Sequence, residues 1–199
     1  QVNVLDKAIH MAVEDLFSAT NFLIENAEEL GINPENIVIS GSSAGAITVM
    51  QAEYEVCNRT KWAQVLPEGF NYAGVMSFAG AILSREGKVN YKNRPCPTLM
   101  LHGTSDGLVP YKQIAFFNLG FFGGGKLVKR FEKFGFNYNM YHFIDYGHEV
   151  AGSMETTTDL QQKFLECNVM KKNERIIEAW ISDPDVWKGY GPQSRKELY

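Results

Sequence analysis

Apolar residues recur along the chain with two different spacings, which divide it into helical and strand-like segments. Between residues 8 and 30 they recur every three or four positions and Gly31 follows, so we predict one long helix that ends there. Short apolar runs bounded by turn formers predict strands at about residues 36–40, 72–78, 98–102 and 139–144. Further helices are predicted at 44–57, 111–119, 126–134 and 156–167, before a turn-rich tail at 181–199. This alternation predicts an α/β fold with a mostly parallel sheet flanked by helices.

The composition favours a single domain and argues against several partner classes. With 199 residues, 45% of them hydrophobic and 21% charged, the chain can bury one sizeable core, and no domain boundary is predicted within 1–199. The net charge of −4 argues against a general affinity for nucleic acid, and no run of about 18 apolar residues predicts a membrane span. Three widely spaced cysteines form neither a zinc pattern nor an evident disulfide framework. None of these properties fixes the localisation.

The segment Gly41-Ser42-Ser43-Ala44-Gly45 is a G-x-S-x-G pattern that follows an apolar run and precedes a helix-favouring stretch. The pentapeptide alone is a weak signal, but a strand before it and a helix after it are the context that a nucleophile elbow requires. A serine hydroxyl is a poor nucleophile, so the fold must hold it where a base reaches its proton. We expect Gly41 and Gly45 to supply the room for this turn. The pattern predicts Ser43 as a nucleophile and the backbone N–H of Ala44 as an oxyanion donor.

Two later loops supply an acid and a base for this serine. Asp106 lies in a polar turn just after the predicted strand at 98–102, and His148 lies just after the one at 139–144. If the strands are parallel, both loops and the serine turn emerge at one edge of the sheet. We predict that His148 takes the proton of Ser43 during attack on a carbonyl and that Asp106 orients the imidazole. This chemistry implies no metal or organic cofactor.

Each of these candidates also has a simpler, structural interpretation, against which the catalytic one must be weighed. Ser-Asp-Gly at 105–107 is a common turn sequence, so Asp106 taken alone would be interpreted as a turn former. Because Ser43 and His148 are also present in the expected order, we prefer the interpretation of Asp106 as a triad acid. Asp145 and Glu149 are alternative acids, but neighbours in sequence are poorly placed to orient the imidazole. The other histidines, for which structural roles are expected, lie on a helix (His10), at a strand end (His102) and inside a strand (His142).

The segments GSSAG, HGTSDGLVPY and YGHEVA resemble those of α/β-hydrolase fold carboxylesterases, over roughly residues 7–170. The resemblance is in particular to small bacterial esterases related to feruloyl and acetyl carbohydrate esterases, and more distantly to prolyl oligopeptidase-like and dienelactone hydrolase-like groups. It implies a triad of Ser43, Asp106 and His148, with Ala44 as the elbow donor. It also implies a small-molecule carboxylic ester as substrate, with carbohydrate-linked acetyl or feruloyl esters as candidates. The alternatives are a prolyl oligopeptidase-like peptidase and a catalytically silent fragment or interaction protein.

The chain departs from this family at its front. Members carry several strands before the elbow and a His-Gly-Gly turn that supplies the second oxyanion N–H, and this sequence shows neither. We therefore expect a single domain over 1–199 that corresponds to the carboxyl-terminal two thirds of the fold. The elbow strand at 37–39 would then be a sheet edge with unpaired backbone groups. We hypothesise that the chain is a piece of a longer protein, or that a second polypeptide or swapped copy supplies the missing strands.

A stretch rich in phenylalanine and glycine, at 116–125, lies between the acid and the histidine. One interpretation places its phenylalanines in an acyl pocket for an aromatic acid. The preferred interpretation is that they pack a helix and its end. The stretch does not identify the substrate.

Overall fold

A computed structural model describes residues 2–182 of the protein, which form eight strands and five α-helices. The strands are β1 (Val38–Ser42), β2 (Gly74–Phe78), β3 (Ala81–Ser84), β4 (Thr98–Gly103), β5 (Gln113–Phe116), β6 (Leu119–Gly123), β7 (Tyr138–Phe143) and β8 (Ile176–Ile181). The helices are α1 (Val2–Glu25), α2 (Ala27–Leu30), α3 (Ala44–Asn58), α4 (Gly124–Phe134) and α5 (Thr158–Phe164). All but the first two residues of the predicted tail at 181–199 lie outside the described residues.

The larger of two sheets has the strand order β1-β2-β4-β7-β8, and every neighbouring pair in it is parallel. The strands β2, β4 and β7 are buried along their whole length, as expected where helices cover both faces of a parallel sheet. This arrangement confirms the predicted α/β fold class. The carboxyl ends of β1, β4 and β7 therefore lie at one edge of the sheet.

Hydrophobic clusters fill the space on both faces of this sheet. On one face, α1 packs against α3 with Val13 and Phe17 fully buried, and α3 in turn covers β1 and β2. On the other face, Phe164 of α5 and Val169 of the next helical turn form a cluster with residues of β2 and β4. A Cβ on Gly74 would lie 3.0 Å from the Val169 side chain, so this glycine lets the helical segment approach β2 closely. Within residues 2–182, no helix has both the length and the apolarity that crossing a membrane demands.

The smaller sheet is antiparallel and has the order β3-β6-β5. It includes the segment 111–119, for which the predicted helix is therefore wrong. That segment instead forms a hairpin in which Phe117 and Asn118 connect β5 to β6, with Phe117 at a φ of 51°. The preferred interpretation of the aromatic stretch as helix packing is also wrong for Phe116 and Phe117, which are 75% and 87% exposed. Sequence periodicity missed the hairpin because its strands are short and β5 is exposed at every position.

The strand β8 was not predicted, because its six residues, IIEAWI, are interrupted by the charged Glu178 and show no regular alternation of apolar and polar positions. It pairs in parallel with β7 and forms one edge of the larger sheet in the described part of the chain. The predicted helix at 156–167 is shorter than expected, since α5 ends at Phe164 and a π-helical turn (Leu165–Met170) follows. Among the described residues, β1 forms the opposite edge, as expected from the sequence.

Candidate active site

The sharp turn that carries Ser43 joins β1 directly to α3. The strand ends at Ser42, the helix begins at Ala44, and Ser43 between them adopts φ 53° and ψ −116°. A positive φ is strained for a residue with a side chain, and such strain is a property of nucleophile elbows. The Ser43 N–H donates to the Phe78 carbonyl of β2 at 2.9 Å, which fixes the turn against the sheet. Because Ala44 is the first residue of α3, its N–H has no partner within the helix, as an oxyanion donor requires.

The two glycines of the pentapeptide play different parts. A Cβ on Gly41 would lie 2.3 Å from the carbonyl carbon and oxygen of Gly45, closer than any real contact, so the turn requires glycine there. A Cβ on Gly45 would meet nothing within 4 Å outside its own helical turn. The prediction that both glycines supply room is therefore confirmed for Gly41 and wrong for Gly45.

Asp106 lies in the loop after β4, and its carboxylate is fully shielded from solvent. Its Oδ1 accepts hydrogen bonds from the backbone N–H groups of Leu108 and Val109, each at 2.9 Å. These bonds form a local turn, so the turn-former interpretation of Asp106 holds for this oxygen. The other oxygen, Oδ2, accepts from Nδ1 of His148 at 2.8 Å. One carboxylate thus shapes its own loop and contacts the imidazole.

His148 begins the helical turn His148–Gly152 that follows β7, and its side chain is 12% exposed. Its Nε2 lies 2.8 Å from Oγ of Ser43, on the side of the ring opposite Asp106. The hydroxyl of Ser42 donates to the carbonyl of Ala151 at 2.5 Å and ties this turn to the elbow. The structure therefore joins Ser43, His148 and Asp106 in one chain of hydrogen bonds.

The charge of Asp106 determines which ring nitrogen of His148 carries the proton. Burial raises the pKa of this carboxyl, but hydrogen bonds from His102 and His148, with the electrostatic attraction of both imidazoles, outweigh it and hold the pKa well below its usual range. The carboxylate is therefore ionised near neutral pH and can only accept, so Nδ1 of His148 donates to it. That leaves the lone pair of Nε2 facing the Ser43 hydroxyl, as a general base requires.

The acid loop and the histidine loop are joined through their main chains. The Ser105 N–H donates to the Tyr146 carbonyl at 2.9 Å, and the Thr104 N–H donates to the Phe143 carbonyl at 2.9 Å. The Asp145 N–H in turn donates to the Thr104 hydroxyl at 2.9 Å. These bonds hold Asp106 and His148 together independently of the contact between their side chains.

The carboxylate that contacts His148 is that of Asp106, and not that of the alternatives Asp145 and Glu149. His10 lies on α1, stacked on Trp62, and His142 is buried in β7. The structural hydrogen bond expected for His102 is confirmed, since its Nε2 lies 3.2 Å from the Val109 carbonyl oxygen. Sequence reasoning missed that the same nitrogen lies 3.4 Å from Oδ2 of Asp106, for which the spacing of four residues across a strand end was the available signal. Residues 2–182 contain no group of three or more His, Cys, Asp or Glu placed to hold a metal ion.

The amino-terminal third of the chain, including the elbow, has a counterpart among known families. Residues 4–68 match the family model BD-FAE. This model is of an esterase-associated α/β-hydrolase domain, and the match confirms over this segment the resemblance found in the sequence. The matched segment contains Ser43 and Ala44 but neither Asp106 nor His148. No curated protein sequence matches the chain.

Two solved structures are similar to the chain at low sequence identity. One is MGS-M1, an α/β hydrolase enzyme from a Medee basin deep-sea metagenome library, with 19% identity and a TM-score of 0.45. That likeness covers 68% of this chain and 49% of MGS-M1. The other is esterase PE8, with 18% identity and a TM-score of 0.47, covering 73% of this chain and 58% of PE8. The chain thus spans less than two thirds of either protein.

Proposed function

We propose that this protein hydrolyses carboxylic esters through an acyl-enzyme formed on Ser43. The observation that carries the proposal is the hydrogen-bonded chain from Ser43 Oγ to His148 Nε2 and from His148 Nδ1 to Asp106 Oδ2, with 2.8 Å at each step. A nucleophile, a base and an orienting acid in this order form the arrangement that activates a serine hydroxyl. The strained backbone of Ser43 at a strand-to-helix turn supports the same chemistry.

In the proposed reaction, Oγ of Ser43 attacks the ester carbonyl carbon while Nε2 of His148 takes the hydroxyl proton. The carbonyl oxygen becomes an oxyanion, which accepts a hydrogen bond from the Ala44 N–H. Collapse of this intermediate breaks the bond to the alcohol oxygen, and His148 returns the proton to that leaving group. Water then attacks the acyl-enzyme by the same steps and releases the acid. Throughout, ionised Asp106 stabilises the imidazolium that forms twice in each cycle.

The proposed substrates are carboxylic esters, with carbohydrate-linked acetyl or feruloyl esters as the first candidates. The support is the match of residues 4–68 to BD-FAE, which contains the nucleophile and the elbow donor. The triad itself does not distinguish these acyl groups, because Ser43 contacts only the reacting carbonyl, His148 transfers only the proton, and Asp106 contacts only His148. Hydrolysis of aryl acetates and of methyl ferulate therefore tests the substrate separately from the chemistry.

A fluorophosphonate probe tests the nucleophile directly, since it reacts with an activated serine and leaves an adduct that mass spectrometry locates. We expect the adduct on Ser43 in the wild-type protein and none in Ser43→Ala. Ser40→Ala is the matched control, because Ser40 lies exposed in β1 close to the elbow and should leave labelling unchanged. Absence of an adduct on Ser43 in folded wild-type protein would contradict the proposal. Cleavage of a prolyl-amide reporter without ester hydrolysis would favour a peptidase instead.

A further inference from the structure

His102 lies at the end of β4, four residues before Asp106, and its side chain is 1% exposed. Its Nε2 lies 3.2 Å from the Val109 carbonyl oxygen and 3.4 Å from Oδ2 of Asp106. Oδ2 is the same oxygen that accepts from His148. Two imidazoles therefore approach one carboxylate oxygen, of which only that of His148 reaches the nucleophile.

The other nitrogen of the His102 ring determines its tautomer. The backbone N–H of Gly124 donates to Nδ1 of His102 at 3.3 Å, so this nitrogen must present a lone pair. In a neutral imidazole the single proton then resides on Nε2, and its available acceptors are the Val109 carbonyl and Asp106 Oδ2. Because the ring is buried, water does not replace either acceptor. The start of α4 thus fixes His102 as a donor toward the acid loop.

We infer that His102 is a positioning residue of the proposed triad: its Nε2–H, which donates to the Val109 carbonyl and lies 3.4 Å from Oδ2 of Asp106, limits how strongly this carboxylate attracts the proton on His148. The catalytic consequence rests on the proposed function, whereas the contact between His102 and Asp106 does not. A carboxylate that faces the N–H of a second imidazole is a weaker acceptor for the first than one that faces a single ring. His148 consequently gives up its proton to the leaving alcohol more readily than it would opposite an unshared carboxylate.

Asp106 would keep its place if this donor were removed. Its Oδ1 is held by two backbone N–H groups and its Oδ2 still accepts from His148. Loss of the His102 proton therefore changes the basicity of the carboxylate rather than its position. A more basic carboxylate stabilises the imidazolium of His148, which moves protonation of His148 to higher pH.

The other titratable groups near this network do not reproduce that effect. Tyr111 meets the His102 ring edge-on, with 5.6 Å between ring centroids, and on β7 His142 hydrogen-bonds to Tyr111 and Glu178. Burial raises the pKa of Tyr111 to about 12 and lowers that of His142, so both are neutral near neutral pH. Three carboxylates, Asp145, Glu149 and Glu178, remain unchanged in every variant. Their effect on His148 is therefore the same in all the proteins compared.

The experiment compares wild-type protein with His102→Leu, which has no donor, and His102→Gln, whose amide can still donate toward Asp106. The pH titration of the His148 imidazole is followed by NMR, and the pH dependence of kcat/KM is measured on the best ester. We expect the titration midpoint and the acid limb to rise together by about half a pH unit in His102→Leu, and His102→Gln to restore most of the wild-type values. Equal midpoints in all three folded proteins would overturn the inference.

A second measurement needs no variant and no turnover. In the wild-type protein, the ring nitrogens of His102 should show a protonated Nε2 and an unprotonated Nδ1 in long-range nitrogen–proton correlation spectra. The opposite tautomer would overturn the inference even if both variants failed to fold. If the fluorophosphonate adduct is absent but the titration shifts as expected, the proposed function fails and the influence of His102 on Asp106 stands. If Ser43 is labelled and the titration does not shift, the inference about His102 fails alone.

Discussion

The two glycines of the G-x-S-x-G pattern provide a matched pair of substitutions. In Gly41→Ala the added Cβ would lie 2.3 Å from the main chain of Gly45, whereas carbon atoms in contact prefer about 3.5 Å or more. The backbone must therefore move by about 1 Å, and it cannot do so without shifting Ser43 between the two glycines. In Gly45→Ala the added Cβ enters open space, in the first turn of α3.

The two substitutions should change the free energy of unfolding in opposite directions. Overpacking of this kind destabilises by about 1–3 kcal/mol, and a displacement of about 1 Å at a catalytic group can lower the rate about 100-fold. Replacing a helical glycine by alanine stabilises by up to about 1 kcal/mol. We therefore expect Gly41→Ala to lower both the free energy of unfolding in urea and the rate of fluorophosphonate labelling. Gly45→Ala should keep the labelling rate and slightly raise the stability.

A sequence motif treats these positions as equivalent, so the comparison separates the motif from the geometry. If Gly45→Ala lowered the free energy of unfolding and the labelling rate as much as Gly41→Ala, the different surroundings of the two Cβ atoms would affect neither stability nor reactivity. The physical account of the turn would then be refuted. Circular dichroism of both variants shows whether a loss of labelling reflects the elbow alone or loss of the fold.

Two further predictions concern acid stability and the edge of the sheet. The folded-state pKa of Asp106 lies below the unfolded value of about 3.9, so its ionised form stabilises the fold above about pH 4, and this contribution is lost as the pH falls toward the folded pKa. Asp106→Asn should therefore lower the free energy of unfolding near neutral pH and lower it less below about pH 4, and an equal loss at both would contradict the linkage. We also propose that β1, which pairs only with β2 among the described residues, accepts a strand from a second polypeptide or a swapped copy. Native mass spectrometry tests this, because a fully active monomer of 22.4 kDa would contradict it.

The sequence predicted the fold class and the meeting of three distant residues because both follow from strong local patterns. Buried strands such as β2 and β4 appear as continuous apolar runs, and a parallel sheet necessarily brings their carboxyl ends together. Ser43, Asp106 and His148 follow the parallel strands β1, β4 and β7 within one to five residues, so their convergence needed no long-range information. Their order along the chain then limited the roles that each could take.

The features that the sequence did not predict depend on contacts between distant segments. The edge strand β8 is held by its pairing with β7, and its residues, although mostly strand-favouring, show no alternation of apolar and polar positions. The hairpin of β5 and β6 exists because β6 pairs with β3, some 40 residues earlier in the chain. The contact of His102 with Asp106 depends on Gly124, whose N–H fixes the tautomer from the start of α4. None of these partners can be recognised by local periodicity.

The distances within the site are set by the main chain as much as by the three polar side chains. A Cβ on Gly103, the last residue of β4, would lie 2.2 Å from the Gly147 carbonyl oxygen and 2.4 Å from that of Tyr146. Any side chain there would push the acid loop away from the histidine loop and lengthen the contact between Asp106 and His148. The requirement for glycine arises because two loops from neighbouring strands share hydrogen bonds at this point. A search for reactive side chains therefore finds the groups that react but misses the glycine that sets the distance between them.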